Sequence, residues 1–226
     1  MRRWSASCAS RSGSLRMPSR LAGRRDHRVP RLSAARRGTR MNSTGTDLTV
    51  ALFAGVVPPD GEELLAEAAG AMLARAGYAL RHGGYNGLME AAARGAARHG
   101  VPVTAITLAD RPDWGAFNPY VTTTVYAPTV GARLHAYLDD ADLVVAMGGG
   151  VGTLHELTAA LYYATTIRSV PVWLLGPTAC RLSAFLRAEG WLTESPTRPL
   201  GFLRELPDAE ALAADLKALD AGRCEP

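Results

Sequence analysis

Residues 146–157 read AMGGGVGTLHEL, with glycines at 148, 149, 150 and 152 followed by Thr153 and Glu156. Backbone that bare lets a ligand come close without meeting a Cβ. If a helix starts there, its unpaired N–H groups and partial positive charge suit a phosphate. Glu156 would then stand one turn further on, a carboxylate aimed at the rest of a nucleotide. The same residues admit a plainer reading. A tight strand-to-helix turn would use Thr153 and Glu156 as a Thr-x-x-Glu capping box.

A second stretch, HGGYNGLMEAAARGA at 82–96, repeats the device with Gly83, Gly84 and Gly87. Asn86 in it tolerates left-handed backbone. Leu88 and Met89 are expected to pack under the following helix. Alone, this turn reads as structural. Two such turns on one sheet edge would share a phosphate-sized cleft. Arg133 is the third element. It opens a helix near 130–140 that must run antiparallel to a strand over 141–147. Helix and strand each span roughly 15 Å at about 1.5 and 3.3 Å per residue. The first helical turn therefore returns to the edge where Gly150 and Glu156 sit. A guanidinium there would clamp phosphate or stabilise a leaving group. The plainer fate is a surface Arg, although its charge at a helix start asks for a nearby anion.

These residues need elements to hold them, and the chain alternates accordingly. LTVALFAGV (48–56) is a continuous apolar run, as expected of a strand covered on both faces. A helix follows, with Asp60 and Glu63 spaced as a capping box and Gly77 placed as its C-terminal glycine. Then come a strand at 78–82, a helix over 88–100, and strands at 101–108, 141–147 and 170–175. Helices near 153–166 and 178–189 lie among them. A strand around 201–206 and a terminal helix near 208–221 complete the order. Residues 109–129, with Pro112, Gly115, Pro119 and Pro128 among aromatics, break the rhythm and read as a long functional or disordered loop. Strands alternating with helices imply an α/β fold, a Rossmann-like doubly wound parallel sheet, whose ligands bind beyond the carboxyl ends of the strands.

Composition narrows the function classes. Residues 1–40 hold twelve Arg and one Asp, a net +11, so the remainder of this +4 chain carries −7. The basic segment lacks apolar periodicity and reads as a disordered arm over residues 1–46, with the folded domain at 47–226. As a tether it would suit nucleic acid or a targeting function; the plainer reading starts the native protein at Met41. An acidic body makes a nucleic-acid partner unexpected. No apolar run approaches a membrane span. Cys8, Cys180 and Cys224 form neither a disulfide framework nor a metal pattern, which points to a reducing cytoplasm. His82, His99 and His135 have no ligand spacing, so no metal is expected. Tyr162 and Tyr163 suit core or dimer contacts better than base stacking. A P-loop would need Gly-Lys-Ser/Thr, and a dinucleotide site Gly-x-Gly-x-x-Gly; neither turn has them.

GGYNGLMEAAARGA is similar to the motif GG-x-x-G-[LV]-M, and GGGVGTLHE resembles PGG-x-GT-x-x-E. Both mark the LONELY GUY group of cytokinin-activating phosphoribohydrolases. The resemblance covers roughly residues 48–176 and includes the interval from Arg133 to the second motif. It implies a Rossmann-like domain, a homodimer with its site near the subunit interface, and no cofactor. It implies hydrolysis of the N-glycosidic bond of AMP or an N6-modified AMP to free base and ribose 5-phosphate. Arg133 and Glu156 would be catalytic. Gly83, Gly84, Gly87, Gly149, Gly150, Gly152 and Thr153 would hold the 5′-phosphate and ribose. Gly148 stands where that group has Pro, and Leu134 where a Lys follows the Arg. These departures, with the insert at 118–133, resemble a sister branch of uncharacterised bacterial proteins that is itself similar to the molybdenum cofactor carrier proteins. There the same cradle binds a phosphorylated pterin without chemistry.

Overall fold

The computed structural model describes residues 48–223; the arm assigned to residues 1–46 lies outside them. Seven strands form one wholly parallel sheet. They are β1 (Leu48–Phe53), β2 (Tyr78–His82), β3 (Val103–Leu108), β4 (Thr123–Ala127), β5 (Leu143–Ala146), β6 (Val172–Leu175) and β7 (Leu203–Leu206). The helices are α1 (Glu62–Arg75), α2 (Leu88–Ala97), α3 (Val130–Leu138), α4 (Val151–Thr166), α5 (Pro177–Ala188) and α6 (Ala209–Arg223). The spatial order is β4-β3-β2-β1-β5-β6-β7. Chain order therefore reverses between β1 and β5, the switch point at which such sheets open a crevice beyond their carboxyl ends.

The central strands are apolar throughout because both faces are covered. Val50, Leu52, Leu143, Val145, Trp173 and Leu175 point into one core layer, with Leu73 of α1, Leu88 of α2 and Leu212 of α6. Ala51, Phe53, Val144, Ala146, Val172 and Leu174 point into the other, with Tyr137 of α3, Leu157 of α4 and Ala179 of α5. Among the described residues no helix is long and apolar enough to cross a membrane.

Two local expectations change. The stretch 109–129 is not a loop throughout. It holds a short 3₁₀ turn at Pro112–Trp114 and the edge strand β4, paired in parallel with β3. An edge strand has one neighbour and a half-exposed pattern, and flanking prolines mask it in sequence. Asp60 and Glu63 do not cap α1. Its N-cap is Gly61 in left-handed backbone, and Glu63 bonds Arg94 instead. Of the two tyrosines expected in core or dimer contacts, Tyr163 packs at the core edge and Tyr162 is exposed. Gly77 does follow the α1 C-terminus at φ 84°, and Leu88 and Met89 are buried as expected.

Candidate functional site

Three turns meet at the switch point. The loop after β1 contributes Gly55, whose N–H donates to the Gly148 carbonyl (2.9 Å) while its own carbonyl accepts from Leu88 N–H (3.0 Å). One residue thus joins the second glycine turn to the start of α2. A Cβ at Gly55 would sit 2.6 Å from Gly149 Cα, so only glycine fits. Gly55 is a site-shaping residue that the two glycine motifs do not include. Its one signal in the sequence is a glycine two residues past the end of the first strand.

The turn after β2 ends at Gly87, the N-cap of α2, and the turn after β5 ends at Gly150, the N-cap of α4. No side chain caps either helix. Thr153 and Glu156 therefore do not form the capping box that the plainer reading needed. Thr153 lies within the first turn of α4, against Gly149. The first N–H groups of α4 are uncapped, Val151 and Gly152 are exposed, and a Cβ at Gly150 or Gly152 would meet nothing within 4 Å.

Glu156 reaches the opposite way, to Arg133. Nη1 of Arg133 lies 2.7 Å from Glu156 Oε1, the two side chains being 16% and 9% exposed. Arg133 is gripped on every nitrogen. Nε donates to the Ile106 carbonyl (3.0 Å) and Nη2 to the Tyr137 hydroxyl (3.0 Å), whose own proton goes to the same carbonyl (2.9 Å). The guanidinium also lies 5.1 Å from the Tyr137 ring centre. Burial pushes the Glu156 carboxyl above its usual range, and the Arg133 charge opposes that shift. Burial likewise raises the Tyr137 phenol, which stays neutral. A Cβ at Gly83 would lie 3.2 Å from Arg133 Nη2, so the first glycine turn runs past the ion pair. The structure thus brings Gly83, Arg133 and Glu156 together, beside the open end of α4. Gly84 and Gly87 shape the first turn behind them.

Two buried groups hold the turns. His82, fully buried at the end of β2, accepts the Gly84 N–H at Nδ1 (2.8 Å). Burial lowers its pKa to about 4, so it is neutral with its proton on Nε2. Glu62 is buried at the start of α1. Its carboxylate accepts N–H bonds from Gly148 (3.2 Å) and Thr178 (2.8 Å). That contact accounts for the departure at position 148. Proline has no N–H to give Glu62, and a Cβ there would lie 2.6 Å from Glu62 Oε2 and 2.6 Å from Pro59 Cγ. Nothing local in the sequence marks Glu62, because its partners are remote in the chain; His82 and Tyr137 bond Gly84 and Arg133 nearby in the chain, but their burial comes only with the fold. Among the described residues no three His, Cys, Asp or Glu side chains converge as a metal site requires.

A model of the SLOG cluster4 family matches residues 53–189, which include all three turns and the ion pair. An uncharacterized protein of Archaeoglobus fulgidus is 34% identical over 92 residues, 41% of this chain; the matched region spans 59% of that protein's length. Two solved structures share the fold. One is the molybdenum cofactor binding protein of Rippkaea orientalis, with 21% identity over 76% of this chain and 96% of that one and a TM-score of 0.59. The other is the molybdenum cofactor carrier protein of Chlamydomonas reinhardtii, with 23% identity over 77% and 99% and a TM-score of 0.57.

Proposed function

Because the chain belongs to the SLOG cluster4 family, we propose that it binds a nucleoside 5′-monophosphate at the open end of α4 and hydrolyses its N-glycosidic bond. AMP or an N6-modified AMP is the substrate class, and the products are free base and ribose 5-phosphate. The observation that carries this reading is the buried Arg133–Glu156 pair beside an uncapped, glycine-lined helix start. The phosphate would lie on the N–H groups of Gly150, Gly152 and Thr153, with Gly149 behind them and the turn Gly83, Gly84 and Gly87 closing the other wall.

Cleavage takes the C1′–N bond apart with its electron pair leaving on the base. Positive charge then builds at C1′ and the ring oxygen. The Glu156 carboxylate stabilises that charge and orients the attacking water, whose oxygen forms the new bond to C1′. The water loses one proton and the leaving base gains one. Arg133 favours the ionised form of Glu156 against its burial and fixes its direction. A homodimer and a cytoplasmic setting belong to the same proposal, as does a single domain over residues 47–226.

The test is incubation with a panel of nucleoside monophosphates, followed by chromatography for free base. Base release by the wild type, lost by about a thousand-fold in Glu156→Gln with nucleotide binding kept, is the expected result. Activity should also fail on acidification at a pH above the usual carboxylate range, because the working form of Glu156 is the ionised one and burial raises its pKa. Absence of turnover on every purine and pyrimidine monophosphate would overturn the hydrolase.

A second reading has its own support. All three guanidinium nitrogens of Arg133 already have protein partners. A pair so neutralised also suits a passive cradle for a phosphorylated pterin, the kind of role named for the two carrier and binding proteins of this fold. That reading requires tight binding with the ligand recovered intact.

A further inference from the structure

We infer that the segment 114–126 supplies an aromatic platform on which the heterocycle of the bound monophosphate stacks, a specificity subsite set beside the phosphate cradle; the inference rests on the cradle proposed above. Four rings run in contact. Tyr85 meets Trp114 edge-on (centroids 5.9 Å) and Phe117 at a tilt (5.5 Å), and Phe117 meets Tyr126 (6.5 Å). The two outer members are open to solvent, Trp114 at 40% and Tyr126 at 64% exposure. A single exposed aromatic needs no explanation. Two open rings at the ends of one row, joined through half-buried Tyr85 and Phe117, do.

The cluster is fastened to the first glycine turn. Buried Asn118 donates through its side-chain amide to the Gly84 and Tyr85 carbonyls (both 3.0 Å), and its backbone N–H also reaches the Gly84 carbonyl (2.8 Å). Gly84, at φ 90°, lets Phe117 close in; a Cβ there would lie 2.7 Å from Phe117 Cδ1. Tyr85 is held by a 2.7 Å hydrogen bond between its hydroxyl and that of Thr107. The platform also adjoins the charged groups. A Cβ on Gly83 would stand 3.7 Å from Tyr85 Cδ2 and 3.2 Å from Arg133 Nη2, so about one carbon separates ring from guanidinium. A ligand with its phosphate on α4 and its scissile bond at the Arg133–Glu156 pair carries a flat ring into this neighbourhood. Phe, Tyr and Trp faces accept any such ring, with a preference for the larger fused bicycles.

The probes are formycin 5′-monophosphate, whose carbon–carbon glycosidic link resists hydrolysis, and ribose 5-phosphate, which lacks the heterocycle. Titration calorimetry of the full chain is expected to show the former bound about 5- to 150-fold more tightly, the range of one stacked base. Trp114→Ala/Tyr126→Ala should bring the two affinities to within about three-fold of each other by weakening the nucleotide alone. Trp114→Phe/Tyr126→Phe should restore the preference. A double alanine variant that keeps the full preference overturns the platform and leaves the cradle standing. Wild-type protein that binds neither probe removes the cradle and the platform together. An oligodeoxyadenylate without terminal phosphates that binds as tightly as formycin 5′-monophosphate would assign the rings to strand stacking and overturn the inference.

Discussion

The two glycine turns resemble each other in sequence and differ in what their glycines do. In the turn after β2, Gly84 and Gly87 have φ of 90° and 73°, and a Cβ on either would strike protein atoms. The fold itself accounts for them. In the turn after β5, none of the four glycines has positive φ. Gly148 and Gly149 are crowded by Glu62, Pro59 and Thr153, but Gly150 and Gly152 face open space. Gly150 has φ −91° and ψ −160°, backbone that other residues adopt. Gly152 lies inside α4, where glycine costs about 1 kcal/mol relative to alanine. Neither strain nor packing explains those two. Close approach by the ligand proposed above would.

That contrast is broken most severely at Gly87. Its Cβ would fall 2.5 Å from the Val56 carbonyl carbon and 2.7 Å from the Gly55 oxygen, and backbone cannot swing away. Gly87→Ala should cost about 3–5 kcal/mol in urea unfolding, combining steric overlap with a φ that alanine resists. A loss under 1 kcal/mol would show that the first turn is as open as the second.

Acid strikes the first turn through His82. Its lowered pKa means that the unfolded chain binds a proton between pH 6.5 and about 4 while the folded chain does not. Stability is complete above that window and falls as pH drops through it, by on the order of 3 kcal/mol. Protonation also places a hydrogen on Nδ1, where the Gly84 N–H now donates. Glu156 works in the opposite sense at the acid end, since burial favours its protonated form in the fold. Urea midpoints measured from pH 7.5 to 4.5 should decline in the wild type. They should flatten in His82→Asn, which keeps an acceptor for Gly84 without titrating. Equal slopes would remove His82 from this role.

The second turn is held instead by Glu62. Glu62→Ala leaves the Gly148 and Thr178 N–H groups without their acceptor and should cost about 2 kcal/mol. Glu62→Gln, which retains one acceptor oxygen, should lose less. Ligand affinity should fall in both, since Gly148 begins the loop that leads to α4. Unchanged affinity in Glu62→Ala would separate the anchor from the site.

These effects follow how legible the molecule was in its sequence. Val50–Phe53, Leu143–Ala146 and Val172–Leu175 announce buried strands because both faces are covered. The return of Arg133 to the edge of Glu156 follows from helix and strand lengths alone, and the two side chains do meet. β4 was hidden, because an edge strand of Thr, Val and Tyr between prolines has no clean alternation. Glu62 and His82 were hidden for another reason. Glu62 meets Gly148 across 86 residues of chain, and His82 bonds a turn whose shape depends on Phe117 and Asn118. Spacing reveals contacts within an element, whereas contacts between elements wait on the fold.

The smallest structural effect should be the most informative about the contrast. Gly152→Ala places a methyl group where nothing lies within 4 Å, at a helical position that favours alanine. The variant should fold as well as the wild type, or gain about 0.5–1 kcal/mol. Its phosphate affinity, read with ribose 5-phosphate by calorimetry, should nevertheless drop about ten-fold or more, since the added carbon stands in the path of a ligand approaching the first N–H groups of α4. Stability gained and binding lost together would mean that Gly152 is kept at the expense of the helix for the sake of something bound. If Gly152→Ala binds ribose 5-phosphate as the wild type does, the open end of α4 is not where the phosphate sits, and the difference between the two turns reduces to packing.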